Sequence, residues 1–160
     1  APDMPLLLMQ MAMLRHPNVV SFLGVASPAG AGELLVVSER MLGGSLEELL
    51  VGRWVTRNKL LPSSWRPPAK AGVKWIGDVM LAVGFMHAQH LVHGQLRPGN
   101  VLLSGSLASA KVADCVLNSA LETRTSNPAE DITSLGLLAW QVGTGRLIAP
   151  PGGGAGAGRG

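Results

Sequence analysis

The sequence predicts a mainly helical α+β fold, and three observations carry that prediction. Between Ala69 and Gln89, the residues Ile76, Val79, Met80, Val83, Met86 and His87 recur at spacings of three and four, which lays one apolar stripe along a long helix. Two pairs of short apolar or β-branched runs, Val19 to Val25 with Leu34 to Ser38 and Val101 to Leu103 with Ala110 to Ala113, are each split by small, turn-forming residues, the pattern of antiparallel pairs. Of the 160 residues, 47% are hydrophobic and 14% charged, enough apolar surface for one buried core and too little charge for disorder.

Taken in order, the first element is a helix from Met4 to Leu14, because methionine and leucine favour helix and Pro17-Asn18 ends it. It is apolar on most faces, so burial is expected, with Met4, Met9, Met11 and Met13 filling core. The first strand pair follows. After Met41-Leu42-Gly43-Gly44, Ser45 and Glu48 form a capping box that starts another helix. Arg53 to Pro68 reads as irregular, and the long helix comes next. A short segment Leu91-Val92, a polar loop from His93 to Asn100 and the second strand pair complete the centre. The last helix is expected over Asp131 to Val142, with the Asp131 carboxylate favoured by free N–H groups at the helix start and Pro150-Pro151 closing it. Residues 1–150 form the domain, and residues 151–160 are a Gly/Ala-rich low-complexity tail.

Composition excludes several classes of function. The net charge of +3 comes from 13 basic and 10 acidic residues scattered singly, so no basic stripe suggests nucleic acid. No apolar run is long enough to span a bilayer, and Met4 to Leu14 lacks the basic start and small-residue cleavage site of a signal peptide. The single cysteine, Cys115, rules out an internal disulfide framework and favours a reducing compartment, the cytoplasm. With no basic neighbour in sequence it is expected to be an ordinary buried residue. His87, His90 and His93 recur every third residue, yet no cysteine or carboxylate completes a zinc set. On the residues alone, Asn100 after Pro98-Gly99 is a turn residue and Asp114 ends a strand.

Five segments in this order resemble the protein kinase family, in particular its tyrosine-kinase-like Ser/Thr branch. Leu14-Arg15-His16-Pro17-Asn18-Val19-Val20 with Phe22-Leu23-Gly24 is similar to the end of the family's first conserved helix and the strand after it. Leu35-Val36-Val37-Ser38-Glu39-Arg40-Met41 and Gly43-Gly44-Ser45-Leu46 resemble the strand, hinge and helix that cradle adenine. His93-Gly94-Gln95-Leu96-Arg97-Pro98-Gly99-Asn100-Val101-Leu102-Leu103 is similar to the catalytic loop H-R-D-L-K-P-x-N-V-L-L. Lys111-Val112-Ala113-Asp114-Cys115-Val116 stands where the D-F-G segment would be, and Asp131-Ile132-Thr133-Ser134-Leu135-Gly136 resembles the start of a later helix. The implied fold is a partial kinase domain: the last two strands of the strand-rich lobe and the helical lobe through the helix near Asp131. The Gly-rich loop and the ATP lysine would precede residue 1, and both ends of the sequence look like the borders of an excerpt.

The resemblance also allows an audit of the chemistry. Gln95 stands at the position of the catalytic aspartate, and a neutral amide takes no proton from a hydroxyl; loss of a general base typically costs a factor of about 10² to 10⁴. Arg97 replaces the loop lysine and keeps a positive charge of different shape. Gly94 replaces the arginine that pairs with a phosphorylated activation loop. Asp114 and Asp131 are only seventeen positions apart, short for an activation segment. The ion-pair glutamate of the first helix falls at Leu7 or a neighbour, where every residue is apolar. By the resemblance, Asn100 and Asp114 are Mg²⁺ ligands that offer oxygen to a hard cation, Glu39 and Met41 are the adenine-binding hinge, His93 orders the catalytic loop, and Asp131 hydrogen-bonds its backbone. The implied protein is a pseudokinase-like domain with a scaffolding or regulatory role, a protein partner and weak or absent Mg-ATP binding. A divergent active Ser/Thr kinase and a non-functional gene fragment are the alternatives.

Overall fold

The computed structural model describes residues 4–28, 34–51, 55–56, 59–60, 66–115 and 127–148. The order is α1 (Met4–Met13), β1 (Phe22–Ala26), β2 (Leu35–Ser38), α2 (Leu46–Leu50), β3 (Val55–Thr56), β4 (Lys59–Leu60), α3 (Ala69–Ala88), a 3₁₀ turn (Pro98–Asn100), β5 (Val101–Leu103), β6 (Ala110–Val112) and α4 (Pro128–Thr144). The expected mainly helical α+β fold is therefore observed. The three strand pairs are antiparallel, and β3–β4 is a two-residue ladder inside the segment expected to be irregular.

The hairpin β5–β6 is the platform on which the rest is assembled. Its β6 edge is covered by the segment before β1: Val112 N donates to Asn18 O at 2.8 Å, and Val20 N donates to Val112 O at 2.9 Å. Its β5 edge is covered by the turn before α2, through Gly43 N to Leu103 O and Leu103 N to Gly44 O, both 2.9 Å. Both open edges of a marginal two-stranded unit are thereby paired, which it needs to be stable. The approach at Gly43 is so close that a Cβ there would lie 2.6 Å from the Leu103 carbonyl oxygen and clash with Ser104 O as well. Only glycine fits that site.

The core lies between this platform, α3 and α4. Trp75, Val79, Ala82, Val83 and Met86 of α3 are buried with Leu46 and Leu49 of α2, Val101, Leu103 and Val112 of the hairpin, and Leu138 and Val142 of α4. The buried stripe is rotated from the expected one: Met80 is 55% exposed, while Trp75 and Asp78 are buried. The polar residue in the stripe is accounted for by bonding. Asp78 accepts Ala110 N at 3.0 Å and Lys74 Nζ at 2.5 Å, and Trp75 Nε1 donates to Leu107 O, so α3 holds the β5–β6 turn at Leu107 and at the start of β6.

Three expectations are corrected. Helix α1 buries only Leu7; Met4, Leu6, Met9 and Met13 are exposed, because the described elements cover only one side of the helix. The methionines other than half-buried Met11 are thus not core filling. Helix α4 starts three residues before Asp131, where Asn127 Oδ1 accepts Ala129 N and Pro128 occupies the first helical position, a site where its missing N–H costs nothing. It ends at Gly145, in the left-handed conformation with φ +65°, rather than at the prolines. The capping box of Ser45 and Glu48 at α2 is present as expected.

Candidate functional site

The loop from His93 to Asn100 is fixed from three directions. From α4, the buried Asp131 carboxylate accepts His93 N and Gly94 N, both at 2.9 Å, one on each oxygen. From α3, His87 Nε2 meets Asp131 Oδ2 at 2.8 Å. From β6, the Ala113 carbonyl meets His93 Nε2 at 2.9 Å, while Gln95 N donates to His93 Nδ1 at 3.2 Å. A ring nitrogen that accepts from an amide carries no proton, so the other carries it and donates to Ala113 O; both bonds together require neutral His93. Burial likewise pushes the His93 pKa below its ordinary value, outweighing the Ala113 carbonyl and the charges of Asp131 and Asp114. The helix end that delivers the chain here closes with His90 N to His87 O and Leu91 N to Met86 O, which puts His90 in the left-handed region at φ +57°.

Within the loop, Asn100 Nδ2 donates to Gln95 O at 2.9 Å, and Ala113 N donates to Asn100 O at 2.9 Å. Asn100 is buried and its amide nitrogen is engaged by the Gln95 carbonyl. Asp114 follows Ala113, is exposed and has φ +58°, a conformation aspartate tolerates better than most residues. Asn100 is therefore tied to the backbone of Gln95 on one side and to the residue before Asp114 on the other. Arg97 is not with them: it is exposed and lines a cavity of about 320 Å³ with Glu47, Leu96, Ser134 and Leu137. Asp114 lines a separate cavity of about 210 Å³ between α1, the β1–β2 pair and β5.

At the hinge, Glu39 N donates to Ser21 O at 2.9 Å, and the Glu39 carboxylate accepts Ser21 N at 2.7 Å and Lys111 Nζ at 2.6 Å. Burial opposes ionisation of Glu39, but the Lys111 ammonium and the Ser21 bonds prevail and hold its carboxyl below its ordinary range. The Met41 carbonyl accepts Gly44 N at 3.3 Å. Of the leucines at and beside the position expected for the family's ion-pair glutamate, Leu7 is 3% exposed and packed in the core, while Leu6 is exposed. Cys115 is buried, and burial, reinforced by the Asp114 charge, pushes its thiol up to about 12.

The sequence reading missed Lys111 as the partner of Glu39, and Asp78 and Asn18 as buried braces of the hairpin; Asn18 Nδ2 donates to Ala110 O at 3.1 Å. Lys74 and Asp78 at a spacing of four on a helix were the available signal for one of these. The three histidines at every third position separate: His87 binds Asp131, His93 is buried and His90 is exposed. Among the described residues no group of three metal-ligating side chains is assembled, and no helix is long and apolar enough to cross a membrane.

Comparison with known proteins places this geometry. The family described as protein tyrosine and serine/threonine kinase matches residues 6–140. The seven transmembrane domain-containing tyrosine-protein kinase 1 of Dictyostelium discoideum is 30% identical over 84% of this chain and 21% of its own length. The dual specificity protein kinase zakA of the same organism is 30% identical over 81% of this chain and 20% of its own length. The LRR receptor-like serine/threonine-protein kinase GHR1 of Arabidopsis thaliana is 31% identical over 81% of this chain and 12% of its own length. The chain thus spans about a fifth or less of the length of these relatives.

Proposed function

The chain belongs to the protein tyrosine and serine/threonine kinase family, and on that premise we propose that it is a pseudokinase-like domain with a scaffolding or regulatory role toward a protein partner. One observation carries the reading: the loop is held in shape by Asp131, His87 and His93, yet the side chain it offers at the base position is the amide of Gln95. An amide cannot accept the proton of an attacking hydroxyl, which removes a factor of about 10² to 10⁴ from phosphoryl transfer. Positioning survives and proton transfer does not. The glutamate position, at Leu7 or a neighbour, adds to this, because Leu6, Leu7 and Leu8 are all apolar and none can make an ion pair with an ATP-binding lysine.

Where Mg·ATP is bound at all, Asn100 through its side-chain oxygen and Asp114 through its carboxylate would hold the Mg²⁺, with Glu39 and Met41 offering backbone groups to adenine. Two oxygen-bearing side chains fit a Mg²⁺ ion that also takes phosphate oxygens and water; the proposal of weak or absent binding rests instead on the apolar run Leu6-Leu7-Leu8, which offers no glutamate to hold an ATP lysine. The single cysteine suits a reducing compartment, the cytoplasm.

A specific observation favours a second reading, a divergent kinase: the bond from Ala113 N to Asn100 O ties Asn100 to the residue before Asp114. Melting of the full-length protein with and without millimolar Mg·ATP separates the two. The proposal predicts a shift below about 1 °C, in line with occupancy near or below half. A shift of several degrees that Asp114→Ala removes would favour the divergent kinase.

A further inference from the structure

The turn between α1 and β1 holds a histidine whose ring makes two contacts of opposite preference. His16 Nδ1 accepts Asn18 N–H at 3.1 Å, and the half-buried ring lies on Phe85 of α3, with centroids 4.9 Å apart and planes inclined by 23°. An imidazole nitrogen that accepts an amide N–H carries no proton, so the first contact exists only while the ring is neutral. The face of an aromatic ring attracts a cation within about 6 Å, so the second contact survives protonation. A second proton therefore leaves the ring on Phe85 and turns its acceptor toward Asn18 into a donor that opposes the amide.

Asn18 is where that change is felt. It is buried, its carbonyl accepts Val112 N at 2.8 Å, and its side-chain amide donates to Ala110 O at 3.1 Å. With the bond from Val20 N to Val112 O, these contacts close the β6 edge and join α1 and the β1–β2 pair to the hairpin. Val19 N donates to His16 O at 3.1 Å, so the turn that presents Asn18 to β6 is built on both the ring and the carbonyl of His16. The charged and titratable groups of the surrounding elements are few. Helix α1 and strands β1 and β2 carry none, and Arg15 adjoins His16 in sequence. On α3, Lys74 pairs with Asp78 and His87 with Asp131, while Lys70 lies at the far end of the helix from Phe85; on β6, Lys111 pairs with Glu39. The inference rests on the bond from Asn18 and on no charge near the ring.

We propose that His16 is a proton-sensitive latch on the β6 edge. Neutral, it holds the Asn18 turn closed against the hairpin; protonated, it stays on Phe85, frees the Asn18 amide and loosens the join between the hairpin and the segment that covers it. The proposal is independent of whether the loop from His93 to Asn100 supports phosphate transfer.

Histidine is the side chain that changes charge between about pH 5 and 8, so the test is NMR on the full-length protein across that range. It follows the ring nitrogens of His16 and the protection of the Asn18 amide, corrected for the intrinsic pH dependence of exchange. Protection of Asn18 N–H is expected to fall about three- to tenfold as Nδ1 gains its proton, the size of one hydrogen bond lost, and the two changes should share a midpoint. His16→Phe keeps a ring for Phe85 and has no acceptor, so Asn18 protection should be low and independent of pH in that variant. Asn18 protection that stays constant with pH in the unaltered protein, or whose pH dependence survives in His16→Phe, overturns the proposal. So does a fall that follows the midpoint of His93, with Asn18 and Gln95 losing protection together. Should His16→Phe fail to fold, the comparison of midpoints in the unaltered protein decides alone.

Discussion

His93 is a buried imidazole whose two ring nitrogens have opposite duties, one accepting from Gln95 N–H and the other donating to Ala113 O. Protonation would end the first bond, and burial already disfavours the charged form. The sign for stability follows from proton counting: the unfolded chain, with His near its ordinary 6.5, binds more protons than the folded one below that pH. Stability contributed by neutral His93 is full above about 6.5 and is lost as pH falls below it. Thermal melts between pH 7.5 and 5.5 should show Tm falling with pH, together with faster exchange of the Gln95 amide; a flat profile would contradict the assignment. Glu39 works at lower pH with a depressed pKa, so its contribution is present above its ordinary 4.5 and is lost as pH falls through its folded value. Glu39→Gln should therefore flatten the melting profile below pH 4.5, since Lys111 then has a neutral partner at every pH. The Cys115 thiol, pushed up to about 12, should resist iodoacetamide at pH 8 in the native protein and react at an ordinary rate in denaturant. Much of this scale was legible: the resemblance put His93 and Asp131 at the loop, and the structure has them bonded as expected. What sequence did not reveal were partners far apart along the chain, such as Lys111 for Glu39, because an ion pair of this kind has no local spacing to read.

The elements show where local rules bind and where they yield to packing. At the end of α3, His90 sits in the left-handed region that costs an L-residue about 1–2 kcal/mol, while the backbone bonds of the helix end require that shape. His90→Gly should raise stability by about 0.5–1 kcal/mol, read in a chain of this size as about 1–4 °C in Tm; no gain would mean that the His90 side chain holds contacts of its own. Gly43 is the reverse case. A methyl group there must push against the Leu103 and Ser104 carbonyls, so Gly43→Ala should cost about 1–3 kcal/mol and loosen the join between hinge and hairpin. Capping box, hairpin and long helix were readable because each rests on residues within a few positions of one another. The burial of α1 was not, since an apolar composition says nothing of whether a neighbour stands there to cover it. The start of α4 is set by Asn127-Pro128, a local capping signal that precedes Asp131 by one helical turn, so a carboxylate near a helix start does not by itself mark the first residue.

For the whole molecule, the hairpin β5–β6 connects a strand pair and α1 above it to α2, α3 and α4 below, and the catalytic-loop residues sit at that junction. Asp131, His87 and His93 brace the loop from α4, α3 and within it. The proposed binding role needs that shape and no proton transfer, so it depends on the braces and not on Gln95. The most direct test is transfer of labelled phosphate from Mg·ATP by the full-length protein, beside Gln95→Asp and Asn100→Ala. On the pseudokinase-like reading, the unaltered protein and Asn100→Ala are both indistinguishable from buffer, with any gain confined to Gln95→Asp. Transfer by the unaltered protein that Asn100→Ala abolishes would contradict it.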